Sequence, residues 1–569
     1  NSRSQVPLGE MRGSSPDSLM PPLGLRSSKI PISMSDANSL RTAISERTVV
    51  ADGAMGTMLQ AANLELSDFQ DLEGCNEILN VTRPDVVKAV HRAYFDAGVD
   101  AVETNTFGAN FANLSEYDIP ERIYELAYAG GKIAKEVAAE YKEKKWVLGS
   151  IGPGTKLPTL GHIDYETLRN SYHQCAKGLV DSGVDALLVE TTQDLLQAKA
   201  AINGAREAID HAERDVLLIA QVTVETNGTM LLGSDISAAL NALEPLGIDL
   251  IGLNCATGPA EMSEHLRVLS QNANCNISVM PNAGLPELGE NGAVYPLGPT
   301  ELANYLANFV KDYGVGLVGG CCGTTPEHLR QVVQAVRGIG KKINSVKNES
   351  GASSLYQFVP FRQDNSYLAI GERTNANGSK AFREAILAND WDTCLEIAKS
   401  QIREGAHMLD LSVDFVGRDG VADMRELSHR LATVSTLPIM LDSTEPTVLK
   451  AGLENLGGRS VINSVNYEDG DGPKSRYAKI MPVVKEHGAA VVALTIDEDG
   501  QARTQEWKIR VAKRLIDDLV NNWGMAVGDI LIDCLTFPIA TGQEETRKDG
   551  IETLAAIKEA LNNQKEKLK

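Results

Sequence analysis

From Thr48 onward, short runs of β-branched and apolar residues alternate with longer segments whose apolar positions recur at helical spacing. The short runs are TVVADG (48–53), AVETNT (101–106), WVLGSIGP (146–153), ALLVETT (186–192), VLLIAQVTV (216–224), LIGLNCA (250–256), ISVMPNAG (277–284) and VGLVGGCCGT (315–324). Segments between them, such as RPDVVKAVHRAYFDAG (83–98), end at glycine, as helices commonly do. Eight strands alternating with helices predict a parallel sheet closed by crossover helices, a (β/α)8 barrel. An open doubly wound sheet is the structural alternative, but no Gly-rich dinucleotide turn follows the first strand.

A second alternation follows residues 339–366, a polar, Gly/Ser-rich stretch that reads as a linker laid along a surface. Its runs are YLAIGERTN (367–375), HMLDLSVD (407–414), LPIMLDST (437–444), RSVINSVN (459–466), GAAVVALTID (488–497) and GDILIDCLT (528–536). Helical patterns lie between them, at 392–406 and 505–524 for example, and one more follows at 552–567. A complete barrel needs eight strands and six are counted, so this unit reads as truncated by two β/α units. The predicted fold class is therefore α/β, with two (β/α)8 TIM-type barrels in tandem: residues 40–338, the linker 339–366, and an incomplete barrel over 367–569. Residues 1–36 are rich in Ser, Pro, Arg and Gly without periodicity, and read as a disordered leader or tag, with a transit peptide as the alternative.

Composition narrows the class. A formal charge of −22 argues against a nucleic-acid or anionic-membrane surface, and no apolar run reaches the roughly 18 residues of a membrane span. Eight cysteines in 569 residues are too few for a disulfide scaffold and fit free thiols in a reducing, cytoplasmic setting. Neither a nucleic acid nor a membrane is expected as a partner.

The first-unit strands end in polar or small residues: Asp52, Asn105, Glu190, Thr223, Asn254, Asn282 and Cys321. Carboxyl ends of barrel strands line one mouth, where chemistry is found. Cys255, ending the sixth strand, then meets Cys321 and Cys322 at the end of the eighth. Adjacent cysteines can hardly pair with each other, so three thiols at one mouth suggest a soft-metal site. Three thiolates suit zinc and leave a fourth position for an exogenous ligand. The bland alternative is three buried structural cysteines. Cys75, Cys175, Cys275, Cys394 and Cys534 lack partner spacing and read as core or incidental thiols. Asp497 and Glu498, opening a DEDG loop, read as solvent-facing turn residues.

Two sets of motifs coincide on this frame. DGAMGT (52–57), ETNTF (103–107), ETTQDLLQAKAA (190–201), GLNCA (252–256), PNAG (281–284) and GGCCG (319–323) together resemble the homocysteine S-methyltransferase family. GERTN (371–375), DLSVD (410–414), LDST (441–444), NSVN (463–466) and DCLTFPIATG (533–542) resemble the pterin-binding family. Their order is similar to the N-terminal half of the cobalamin-dependent methionine synthase family. The resemblance implies a methyltransferase in which Cys255, Cys321 and Cys322 bind Zn2+ and the homocysteine sulfur takes the open position. It implies that Asp52, Gly53, Thr106 and Glu190 hold the amino-acid end of homocysteine. It further implies that Glu372, Asn375, Asp410, Asp442, Asn463 and Asp533 hold 5-methyltetrahydrofolate. That donor would remethylate the cobalamin whose methyl group homocysteine accepts.

The residues suit these roles. Only a thiolate is a good nucleophile, and zinc removes the thiol proton while three anionic cysteines moderate the metal. A pterin presents N–H and NH2 donors beside acceptors, which Asp and Asn match. The cobalamin-binding pattern Asp-x-His-x-x-Gly does not occur, so methylcobalamin is expected on a separate cobalamin-binding domain or protein. A further pterin-site Asn of the family has no counterpart here, and weak folate binding is expected. The rival functions are a cobalamin-independent homocysteine S-methyltransferase using a sulfonium or betaine donor, and a substrate-binding module without complete folate activity.

Overall fold

The computed structural model of the chain describes residues 39–212, 214–289, 292–347, 349–364, 367–537 and 546–567. The expectation for residues 1–36 and part of the DCLTFPIATG segment lie outside the described residues. In the first unit the strands are β1 (Val49–Val50), β2 (Ala101–Glu103), β3 (Trp146–Ile151), β4 (Ala186–Thr192), β5 (Leu217–Val222), β6 (Leu250–Asn254) and β7 (Asn276–Met280). After a small antiparallel hairpin, β8 (Glu287–Gly289) and β9 (Gly292–Val294), comes β10 (Leu317–Val318). All but the hairpin form one parallel eight-stranded sheet in the order β1-β10-β7-β6-β5-β4-β3-β2.

The circle closes between β1 and β2 through Asp100. Its N–H donates to Val50 O (2.7 Å), and its carboxylate accepts from Val50 N (2.9 Å) and the Arg47 guanidinium (2.9 and 3.0 Å). The same device starts β4 and β6. Gly98, Gly183 and Gly247 end helical turns at φ of 98°, 99° and 75°, where glycine alone escapes a Cβ penalty. Two residues later Asp185 accepts from Val147 N (2.9 Å) and Asp249 from Leu218 N (2.8 Å). The recurrent Gly-Val/Ile-Asp thus staples alternate strands to their neighbours.

Inside the barrel, alternate residues such as Ala51, Ala101, Leu148, Leu188, Ile219 and Leu250 form one buried cluster with Leu40 and Ile44. The latter belong to α1 (Leu40–Glu46), whose N-terminus is capped by Ser39 Oγ accepting from Thr42 N (3.1 Å). This helix floors the amino-terminal end of the barrel.

The second unit opens with an antiparallel hairpin, β11 (Gly351–Ser353) and β12 (Phe358–Pro360). Then follow β13 (Ile370–Gly371), β14 (Met408–Leu411), β15 (Ile439–Asp442), β16 (Val461–Val465), β17 (Ala490–Leu494), the hairpin β18 (Ile496–Asp497) and β19 (Gly500–Gln501), and β20 (Ile530–Asp533). Six strands pair in parallel in the order β13-β14-β15-β16-β17-β20, so the described residues make a six-stranded half-barrel. Among the described residues no helix is long and apolar enough to cross a membrane.

Two surface expectations are corrected. The stretch 339–366 does not simply lie on a surface: Gly351, Ala352, Ser353, Ser354 and Leu355 are buried. Ala352 packs with Met408, Met440, Val461 and Ala490 from the inward register of the second sheet, so this hairpin floors the half-barrel as α1 floors the barrel. Small residues that look linker-like are required there, since a Cβ on Gly351 would stand 2.4 Å from Val359 O. Asp497 is also buried, accepting from Trp507 Nε1 (2.8 Å) and Asp499 N (3.1 Å), because the β18–β19 hairpin folds it under the following helix. Its neighbour Glu498 is exposed, as expected, and pairs with Arg514.

One buried cation ties the two units together, and a second braces the second unit beside it. Lys199 Nζ donates to Leu456 O (3.0 Å) and Gly458 O (3.2 Å), and burial pushes its ammonium down to about 7. Arg459 donates to Gly488 O (2.8 Å), Gly351 O (3.3 Å) and both oxygens of Asp529 (2.9 and 2.7 Å). It thereby joins the hairpin to β16 and to the turn before β20. Arg459→Met strands the Asp529 carboxylate and two carbonyls, and should cost about 3–5 kcal/mol. Urea unfolding followed by the fluorescence of Trp507 and Trp523 checks this; an unchanged midpoint would show that water replaces the guanidinium.

Candidate functional site

The sharpest turn at the first mouth is at Cys255. It and Ala256 adopt left-handed backbone (φ 57° and 55°), which turns the chain abruptly after β6. Hydrogen bonds hold this conformation: Cys255 N to Met280 O (3.2 Å) and Thr257 N to Cys255 O (2.6 Å). On the neighbouring loop Cys321 N donates to Pro281 O (2.8 Å), Cys322 N to Asn282 Oδ1 (3.1 Å), and Ala283 N to Cys322 O (3.0 Å). The glycines of GGCCG are needed for this packing, since a Cβ on Gly320 would stand 2.4 Å from Thr324 Oγ1.

The three Sγ atoms lie within 4.8 Å of one another, with Cys255 and Cys322 3.9 Å apart. Two thiolates on a tetrahedral zinc at about 2.3 Å stand roughly 3.8 Å apart, so the residues present fit that ion. Its contacts with Cys255 and Cys321 hold the Cys322 thiol well below the usual thiol value, at about 3. Cys321 is pushed well up by its contacts with Cys255 and Cys322 and by burial.

Beside the sulfurs stand three carboxylates. Asp52 Oδ1 accepts from Glu103 N (3.0 Å), while its buried Oδ2 has no partner among the described residues. Glu190 accepts from Ser150 Oγ (2.5 Å) and Asn254 Nδ2 (3.2 Å). Burial pushes all three carboxyls up, Glu190 to about 7, and the charges of Asp52 and Glu190 add to the effect on Glu103. None of the three is in an ion pair among the described residues, so burial favours their protonated forms and a neighbouring positive charge would be needed to ionise them. Glu103 was not among the sequence candidates, although the period-two register that makes Ala101 inward makes Glu103 inward as well.

The other two candidates support this cradle. Thr106 is fully buried and donates to Ser150 O (2.7 Å), so its hydroxyl steadies the strand that carries the Glu190 partner. Gly53 has no room for a side chain: a Cβ would stand 2.4 Å from Thr324 Oγ1 and 3.1 Å from Tyr94 Oη.

At the second mouth Asn375 is the hub. Its Nδ2 donates to Asp410 Oδ2 (2.8 Å) and Asp442 Oδ2 (2.7 Å), and its Oδ1 accepts from Asn377 N (2.9 Å) and Gly378 N (3.2 Å), which fixes the amide orientation. Burial pushes Asp442 up to about 7, helped by the charge of Asp410. Asp410 is pushed up by burial and drawn back by the amides of Asn375 and Asn463. Glu372 stands exposed at the rim and adds its charge to both. Asp533 is not brought into this group. It is exposed at the end of β20, on the sheet edge opposite β13, and accepts from Leu535 N (2.8 Å). Asp414, unassigned from sequence, joins the group by accepting from Ser443 Oγ (3.0 and 2.9 Å) and repelling Asp442.

These raised carboxyls set a pH dependence of stability. An unfolded chain releases the Asp442 proton near 4, whereas the folded chain keeps it to about 7. The folded state therefore binds more protons across that window, and stability falls as pH rises through it. Asp442→Asn should flatten the slope between pH 4 and 7 and raise the urea midpoint at neutral pH. An equal slope in both chains would place the proton elsewhere.

Comparison with known proteins adds an independent line. The profile of the homocysteine S-methyltransferase family matches residues 49–336, and that of the pterin binding enzymes matches residues 371–566. The methionine synthase of Mycobacterium tuberculosis is 64% identical over 519 residues, covering 91% of this chain and 44% of that protein. That of Mycobacterium leprae is 63% identical over 532 residues, covering 92% of this chain and 44% of its own length. The chain thus spans less than half the length of these curated relatives. A crystal structure of an Escherichia coli homocysteine methyltransferase in its metallated form matches with a TM-score of 0.42 and 22% identity, covering 50% of this chain and 95% of that one. With its first profile match spanning just over half of its residues, the chain belongs to the homocysteine S-methyltransferase family.

Proposed function

We propose that this chain is the homocysteine- and methylfolate-binding portion of a cobalamin-dependent enzyme that forms methionine. The observation that carries the reading is the convergence of three sulfurs at zinc spacing beside three carboxylates without cations. Cys255, Cys321 and Cys322 would hold zinc. Bound zinc supplies the charge that keeps the homocysteine sulfur ionised at neutral pH.

The chain's own residues do the remaining work at this mouth. Asp52, Glu103 and Glu190 take the substrate ammonium, whose charge relieves the repulsion among them. Thr106 and Ser150 hold Glu190 in place, and the bare backbone at Gly53 lets the amino-acid end approach. The apolar floor of the barrel keeps water away from beneath the site.

At the second mouth Asp410 and Asp442 accept the N–H and NH2 donors of the pterin of 5-methyltetrahydrofolate. Asn375 and Asn463 serve as both donors and acceptors, with Glu372 at the rim. A cobalamin carried by another domain or protein would supply the methyl-carrier chemistry between this folate and homocysteine. A cytoplasmic location accompanies the reading, since the thiols need reducing conditions.

Metal analysis of the dialysed chain should find a single equivalent of zinc. Changing Cys255, Cys321 or Cys322 to Ser should remove it, and Cys75→Ser or Cys394→Ser should not. Glu190→Gln should keep zinc yet bind homocysteine roughly tenfold or more weakly, the loss of one charge-assisted hydrogen bond. Supplied with methylcobalamin and homocysteine, the wild-type chain should release methionine. Full zinc in the triple cysteine variant, or unchanged homocysteine affinity in zinc-replete Glu190→Gln, refutes the corresponding assignment.

A further inference from the structure

β4 does not end as a regular strand. Its pairing with β5 shifts register between Val189 and Thr192, and Thr191 takes left-handed backbone at φ 55°. A β-branched residue is strained in that conformation, so its neighbours must hold it there. The holder is Asn254, fully buried at the end of β6. Its Oδ1 accepts from Thr191 N (2.8 Å), and its Nδ2 donates to Thr191 Oγ1 (2.7 Å) and to Glu190 Oε2 (3.2 Å). A backbone N–H can only donate, so the contact at Thr191 N settles which end of the amide is oxygen.

The backbone of the same residue leads directly into the thiolate site. Asn254 is in register with Met280 of β7, and the next residue, Cys255, turns left-handed while its N–H donates to Met280 O (3.2 Å). One residue after Met280, Pro281 O accepts from Cys321 N (2.8 Å), which ties the second cysteine loop to the same strand end. Asn254 thus grips Glu190 with its side chain and carries Cys255 on its backbone. Between the Glu190 carboxylate and the Cys255 Cα stand one hydrogen bond, one short buried side chain and one planar peptide.

We propose that Asn254 is a positioning residue that fixes the Glu190 carboxylate relative to the Cys255 sulfur. It thereby sets the separation of thiol and ammonium that the first mouth accepts. The inference rests on the zinc and homocysteine reading above and deepens it. A ligand held by its sulfur at one end and by its ammonium at the other must match that span. Homocysteine engages both ends, whereas cysteine, shorter by one methylene, gives up part of one contact. A Glu190 released from Asn254 would follow the shorter ligand, and the discrimination would fade.

Asn254→Ala removes the amide. Combining it with Thr191→Gly supplies a residue for which φ 55° carries no penalty, so the turn survives without its holder. Calorimetric titration of the zinc-loaded chains with homocysteine, cysteine and 2-mercaptoethanol, a thiol with no ammonium, reads the two ends separately. Both variants should keep one equivalent of zinc and bind 2-mercaptoethanol as the wild type does. Homocysteine should bind roughly tenfold more weakly, the worth of one hydrogen bond to a charged group, and its preference over cysteine should shrink. Loss of zinc from the double variant overturns the proposal. So does a homocysteine affinity that is unchanged, or that falls in step with those of cysteine and 2-mercaptoethanol; each of these results leaves the zinc reading standing. A wild-type chain that holds no zinc or binds no homocysteine overturns both.

Discussion

The barrel interior is packed with hydrocarbon, so the inward register of each strand must change from apolar to polar atoms within one step of two residues. On β2 the change is from Ala101 to Glu103, on β3 from Leu148 to Ser150, on β4 from Leu188 to Glu190, and on β5 from Ile219 to Gln221. Everything at the first mouth follows from that boundary. The apolar layer below denies the carboxylates solvent, which is why burial is the largest cause of their raised pKa values. The strands that carry them are hydrogen-bonded on both sides, so the charges cannot move apart to relax. A site placed on strand ends in this way is more rigid than one built on loops, and it is poised for a ligand that brings positive charge.

The joint between the two units obeys the same economy of water but reaches a different answer. Lys199 is fully buried and meets only carbonyls, so its charge is opposed by dipoles rather than by an anion. With its ammonium pushed down to about 7, it can shed the proton and still donate to one of those carbonyls. Arg459 cannot deprotonate, and it is the one supplied with a carboxylate, Asp529. Near Lys199 lies His487, fully buried, with neither ring nitrogen hydrogen-bonded among the described residues and its pKa pushed well below the usual value by burial and by the charges of Lys199, Lys450 and Arg169. A neutral imidazole therefore fills the space beside these cations. Such contacts add little net stability compared with apolar packing, but they fit only one relative placement of the partners.

Much of this architecture was legible in the sequence because it depends on period and on termination. The eight parallel strands, their polar ends and the meeting of Cys255 with Cys321 and Cys322 follow from counting β/α units, and no long-range geometry was needed. What was missed depends on which small or polar residues are buried. The hairpin around Ala352 has the composition of a linker, and only the hollow beneath the second sheet draws it inside. Asp497 sits in a sequence that usually marks an exposed turn, and its burial is set by Trp507, ten residues on. Glu103 follows from register alone, being two residues beyond Ala101. The repeated Gly-Val/Ile-Asp before β2, β4 and β6 was equally visible, and its meaning needed the neighbouring strand's N–H groups.

The two mouths gather acids for opposite reasons. At the first, three buried carboxyl groups lie close together, and under the proposed reading a ligand ammonium would satisfy them by charge. At the second, the amide of Asn375 is wedged between Asp410 and Asp442, donating to both. Burial first, and the charge of Asp410 second, hold the Asp442 proton to about 7 against the pull of the shared amide. A carboxyl that titrates near neutral pH can both accept and donate. Such a group would suit a neutral heterocycle whose edge alternates donors and acceptors better than it would suit an ammonium. Asn375 makes the distinction: its Oδ1 is tied to two backbone N–H groups, so its NH2 cannot turn away from the acids. Substituting Asp for it would turn a shared donor into a third charge and convert the second mouth into a copy of the first.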